Sequence, residues 1–168
     1  MFRTRHNSVR VSRPLSRRRL SSRTRRAKSV LRDTELSICI SGIPGAEESI
    51  LSTVTGKGTN IRALCSYNDR DRTMILLVTE DAPRAKQALE DAGFDCTTNP
   101  VIVVGLENRI GAIDRLGIDL QDAGIHVLRS YASYANRQEV CAVFKTQDDA
   151  RAVKILEQGL GAASYLAA

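Results

Sequence analysis

Apolar positions alternate between two spacings along most of this chain. Leu36 to Ser41 is a short apolar run ending at Gly42, and it reads as a buried strand. Ala46, Ile50 and Val54 then fall at helical spacing, and Gly56-Lys57-Gly58 closes that helix as glycines near a C-cap do. Residues 60–67 and 73–79 read as strands, joined by the polar turn Asn68-Asp69-Arg70-Asp71. Asp81 can cap a second helix, with Pro83 in its first turn and Ala85, Ala88, Leu89 and Ala92 on its apolar face. Gly93 ends it, and 94–98 forms a weaker fourth strand. This order, β-α-β-β-α-β, is the ferredoxin-like split βαβ unit.

The same order then recurs. Residues 100–107 predict a strand and Ile113, Leu116, Leu120 and Ala123 a helix ending at Gly124. Residues 125–133 and 140–146 predict a hairpin and 148–158 a second helix, while 159–168 is too poor in β-formers to predict a last strand. At a shift of 66 residues Gly45 falls on Gly111, Ala46 on Ala112, Ile50 on Leu116 and Gly58 on Gly124. After a one-residue slip Thr79 falls on Thr146, Asp81 on Asp148 and Leu89 on Leu156. The chain is therefore an internal duplication. The expected class is α+β: two ferredoxin-like βαββαβ repeats, antiparallel sheets with helices on one face, paired about a pseudo-two-fold axis. The expected bounds are an arm over 1–34, repeat one over 35–99 and repeat two over 100–168.

Charge changes the picture at one end. The sequence pI is about 9.5. Residues 1–32 hold twelve of the 25 Lys and Arg and no acid, so the remainder has thirteen basic residues against nineteen acidic, a net of −6. A nucleic-acid role drawn from overall charge would be misplaced on the repeats. The arm has too few apolar residues to offset its ordering entropy and is expected to be disordered alone. Three readings of it stay open: an organellar transit peptide, an electrostatic arm for nucleic acid or anionic lipid, or an extension without function. Phe2 is its only aromatic residue, which leaves little for base stacking. Location follows the arm: cytoplasmic, or organellar if the arm is a transit peptide.

Chemistry beyond binding is sparse. There are two histidines, His6 in the arm and His126, and no Ser/His/Asp order, HExxH, phosphate loop or Cys/His metal spacing. Glu47-Glu48, Asp81 and Asp148-Asp149 sit at expected helix starts, where they complement the dipole. Cys39, Cys65, Cys96 and Cys141 lie in apolar stretches and are expected as buried, reduced thiols. No run approaches the ~18–20 apolar residues of a membrane helix. An enzyme is not expected, nor a cofactor or metal. What remains is a glycine turn between strand and helix, occurring twice, at 42–46 and 108–112. Such a turn aims free N–H groups and about half a positive charge at one point, which suits a carboxylate.

With their order and duplication, Glu107-Asn108-Arg109-Ile110-Gly111, Gly58 to Leu64 and Thr79 to Gly93 resemble the ACT domain in its tandem form, over nearly all of 35–158. The resemblance implies a non-catalytic regulatory protein that holds a small amino acid between its repeats and biases an interaction with a partner protein. It implies one site from Asn108, Arg109, Gly111 and Ala112 with Asn60 and Ile61 entering the second strand of repeat one. The reciprocal site combines Ser41, Gly42, Gly45 and Ala46 with His126. Asn108 and Asn60 suit the task, since an amide offers an acceptor to an ammonium and donors to a carboxylate. Two departures stand out: Gly42 where the family carries an acid or amide, and Ile110 where it carries proline. Tyr67, Tyr131 and Tyr134 are further candidates for the ligand face. Exposed edge strands leave homodimerisation open, and nucleic acid enters only through 1–32; a structural or interaction module with vestigial ligand sites stays open as an alternative.

Overall fold

A computed structural model describes residues 27–41, 45–136 and 138–164. Residues 1–26 of the arm and the turn residues Gly42, Ile43 and Pro44 lie outside the described residues. Six strands and four helices follow in the order β1 (Ala27–Ser41), α1 (Ala46–Gly56), β2 (Ile61–Asp69), β3 (Arg72–Thr79), α2 (Ala82–Asp91), β4 (Cys96–Glu107), α3 (Ala112–Asp122), β5 (Val127–Asn136), β6 (Glu139–Thr146) and α4 (Asp149–Ser164). The strands form one antiparallel sheet in the order β2-β3-β1-β4-β6-β5.

Two expectations need correction. Residues 27–34, assigned to the arm, are the first half of a 15-residue strand. They pair with β4 from Ala27↔Leu106 to Thr34↔Pro100, while β3 pairs only with Glu35 to Ser41. The predicted strands 94–98 and 100–107 are a single strand, β4, and β6 pairs only with its last part, from Ile102. Each long strand thus serves both repeats: the front of β1 completes the sheet of repeat two, and the front of β4 completes that of repeat one. Low apolar content hid the first of these, because a strand at a sheet border needs backbone partners more than apolar side chains. Pro100 hid the second. It has no N–H to give, and it lies where the other side of β4 has no strand among the described residues, a position that tolerates proline. The last helix also runs six residues past its expected end at 158, to Ser164.

All four helices cover one face. On repeat one Leu36, Ile38, Ile75 and Leu77 pack beneath Ile50, Val54, Ala85 and Leu89. On repeat two Ile102, Val104, Ala142 and Phe144 pack beneath Leu116, Leu120, Ala152 and Leu156. The second helices are capped alike: Asp81 accepts from Arg84 N–H at 3.0 Å and Asp148 from Arg151 N–H at 2.9 Å. Alternate residues form a third cluster on the opposite face, with Ala63, Val78, Val101, Val103, Cys141 and Val143 buried and Tyr131 against them. They are buried because the sheet curls until its end strands meet. Leu64 N–H of β2 donates to Ser133 Oγ of β5 at 3.2 Å.

The cysteines are free, but Cys39 is exposed, Cys65 half-buried, and only Cys96 and Cys141 are buried. Cys39 departs from the expectation because it lies near the end of β1, where strand alternation turns it from the helices. Burial pushes the thiols of Cys65, Cys96 and Cys141 up from their ordinary value, which disfavours the reactive thiolate.

Candidate functional site

Gly45 and Gly111 take matching backbone conformations, as the duplication requires. Gly45 has φ 83 and ψ −4 at the start of α1, and Gly111 has φ 80 and ψ 5 at the start of α3. Neither helix start has a side-chain cap, whereas α2 has one. Each glycine carbonyl accepts the first helical bond, from Ser49 at 3.0 Å and from Arg115 at 3.1 Å. A Cβ at either position would touch nothing within 4 Å, so only the backbone angle demands glycine. Gly45→Val and Gly111→Val are each expected to destabilise the protein by about 1–2 kcal/mol, the cost of a left-handed residue with a side chain. Urea denaturation checks this, and a loss near zero at either position would show that the turn does not need positive φ.

Beside the second turn is a hollow of about 180 Å³. The end of β4 and its loop supply Leu106, Glu107, Asn108 and Arg109, and α3 supplies Ala112 and Ile113. The far wall is Ala132, Ser133 and Tyr134 of β5, with Val140 of β6. Its volume is below the roughly 300–1,000 Å³ of drug-sized pockets and suits a much smaller molecule. Asn108 N–H donates to Gln138 O at 2.8 Å, and Ala112 N–H to Arg109 O at 3.2 Å, which fixes the loop.

Glu107 is the chemically pointed member. Its side chain is 20% exposed, and Arg109 Nε lies 2.7 Å from its Oε2. Arg109 thus matches the charge of Glu107, but the contact is not aligned as a hydrogen bond, which leaves the buried Oε2 without a well-aligned donor. Such an oxygen can accept a further charged donor. The same hollow therefore offers a negative acceptor and the positive start of a helix.

The structure brings Asn108, Arg109 and Ala112 into one wall, with Gly111 shaping the turn between them. It does not bring Asn60 or Ile61 there: among the described residues the wall comes from repeat two alone. Asn60 is exposed and its carbonyl accepts from Glu80 N–H at 3.0 Å, while Ile61 packs on the core of repeat one. In the reciprocal site Ser41 is exposed at the end of β1, Ala46 is half-buried, and Gly42 lies outside the described residues. His126 is exposed, and its carbonyl accepts from Gln147 N–H at 3.0 Å, the counterpart of Asn60. Of the tyrosines Tyr134 lines the hollow, Tyr67 is 47% exposed, and Tyr131 points to the inner face, where its hydroxyl donates to Glu35 at 3.0 Å. Burial first, and then the charge of Glu35, push the Tyr131 phenol upward.

Repeat one still reaches the hollow indirectly. Ser133, in its wall, is the residue that accepts from Leu64 N–H across the meeting edges. Sequence reasoning did not name as candidates Glu107 and Ser133, which also line the hollow. Glu107 was legible as the acid preceding Asn108, but Ser133 was not, because nothing local places β5 beside β2. Among the described residues no group of three or more His, Cys, Asp or Glu could hold a metal ion, and no helix is long and apolar enough to cross a membrane.

No protein-family model and no curated protein matches the sequence. Solved structures do match the fold. A protein from Bacteroides thetaiotaomicron superposes with a TM-score of 0.69 at 20% identity, covering 77% of this chain and 89% of that one. The ligand-free regulatory subunit of aspartate kinase from Thermus thermophilus gives 0.59 at 12% identity, covering 79% and 97%. The regulatory subunit of aspartate kinase from Thermus flavus gives 0.56 at 15% identity, covering 81% and 98%. The duplicated βαββαβ order, the single antiparallel sheet and these superpositions agree on one architecture: the chain has the ACT-type fold.

Proposed function

We propose that this chain is a non-catalytic regulatory protein that binds a small amino acid in the hollow beside α3. The observation that carries the reading is the buried Oε2 of Glu107, ion-paired with Arg109 but lacking an aligned hydrogen-bond donor, in the same small cavity as an uncapped helix start. An α-ammonium answers the first and an α-carboxylate the second, with the Asn108 amide able to serve either. The regulatory architecture of the aspartate kinase subunits supports the reading at the level of fold.

Occupancy would act through β5. A ligand against Ala132 and Tyr134 bears on the strand whose Ser133, on its other face, holds Leu64, and so on how the edges of the two repeats meet. By linkage, the ligand then favours one mutual arrangement and changes affinity for whatever protein reads it.

Calorimetric titration of the full chain with each of the twenty amino acids is the direct test. One or a few should bind. Glu107→Gln and Asn108→Ala should weaken that binding roughly 10- to 100-fold, the range of a lost charged hydrogen bond, with the melting curve little changed. Asn60→Ala separates a ligand confined to the hollow, which it leaves unaffected, from one bridging the repeats, which it weakens. Silence from all twenty defeats the proposal.

A further inference from the structure

The duplication allows the two turns to be compared position by position, and three differences fall in the hollow. The helices begin at Ala46 and Ala112, so Glu47 of α1 corresponds to Ile113 of α3. The hairpin registers place Ser66 of β2, opposite Ile75, where Ala132 of β5 lies opposite Ala142. At the strand before the turn, Ser41 stands where Glu107 stands in repeat two.

These substitutions have physical consequences. In repeat one Ser66 Oγ donates to Glu47 Oε2 at 3.0 Å and stitches β2 to the first turn of α1. In repeat two the corresponding Ala132 and Ile113 can form no such bond, and both line the hollow instead. Two of the lining side chains are also exposed and apolar or aromatic: Ile113 is 41% exposed and Tyr134 78%. At the position of Glu107 repeat one carries the neutral Ser41, and its described carboxylate at the turn, Glu47, is held by Ser66.

We propose that each chain takes one ligand, in repeat two, and that Ile113 and Ala132 select an amino acid with an apolar side chain. This rests on the hollow being an amino-acid site. A ligand side chain laid along Ile113, Ala132 and Tyr134 gains about fourfold in affinity for each methylene it buries. A charged or amide side chain placed there loses water and finds no partner.

Titration of the full chain with leucine, isoleucine, valine, alanine, aspartate and lysine tests it. The expected result is one ligand per chain, with the branched apolar amino acids bound at least tenfold more tightly than alanine, and aspartate and lysine weakest. The double variant Ile113→Glu/Ala132→Ser rebuilds the stitch of repeat one in repeat two and should reduce binding at least tenfold. Both positions are partly or fully exposed, and a thermal melt confirms that the variant folds. Glu47→Gln/Ser66→Ala should leave stoichiometry and affinity unchanged. Two ligands per chain, tighter binding of aspartate or lysine than of leucine, or undiminished binding by the Ile113→Glu/Ala132→Ser variant overturns this inference while the amino-acid site stands. Silence from the whole panel of twenty overturns both.

Discussion

Replacing Arg129 by methionine is expected to destabilise the protein by about 3 kcal/mol, the low end of the cost of orphaning one member of a buried ion pair. Glu35 is fully buried on the inner face of the curled sheet, at 0% exposure. Its carboxylate is held by the Arg129 guanidinium, which also approaches through Nε at 3.4 Å, and by the Tyr131 hydroxyl. Arg129 and Tyr131 belong to β5 of repeat two, whereas Glu35 is in β1 opposite β3 of repeat one. Removing the arginine leaves a charge in the interior with one neutral donor. The low end applies because Arg129 is itself 37% exposed, so water can partly replace it. The double variant Glu35→Met/Arg129→Met should recover most of the loss, since apolar replacement of both partners is often close to neutral. A double-mutant cycle by urea denaturation measures the coupling. If Arg129→Met costs less than about 1 kcal/mol, as exposed pairs do, water reaches Glu35 and the curled sheet is looser than described.

Leu36→Ala and Ile102→Ala are each expected to cost about 3 kcal/mol, within the usual range for a buried leucine or isoleucine. Both side chains are fully buried, Leu36 in the core of repeat one and Ile102 in that of repeat two. The sharper expectation concerns the shape of the transition. Because β1 and β4 each complete the sheet of the other repeat, loosening either core removes a strand from both. Each variant should therefore unfold in one cooperative step, with circular dichroism and tyrosine fluorescence giving the same midpoint. Two separated transitions, with only one moved by each substitution, would mean that the repeats fold independently.

The same strands mark the limit of what local pattern can reveal. The helices lie close to their expected places because their signals are local. Apolar residues three and four apart, the caps Asp81 and Asp148, and the glycines at 45 and 111 all act within a turn or two. The Asn68 to Asp71 turn is similarly readable, and the structure gives Arg70 the left-handed φ of 56 that such a short connection needs. That Asn108, Arg109 and Ala112 share one wall was legible for the same reason, since they are consecutive or nearly so around one turn.

What the chain order alone determined, then, is the duplication, the order of helices and hairpins, and the left-handed backbone of Gly45 and Gly111, since each is written in residues a few positions apart. Tertiary structure decided the rest. Residues 27–34 become a strand only because β4 offers them a ladder, and Glu35 is buried with Arg129 only because the sheet curls β5 over it. The meeting of β5 with the mouth of α3 forms the hollow beside the second turn. There Ile113 and Ala132 leave a gap, where Glu47 and Ser66 form a hydrogen bond in the other repeat.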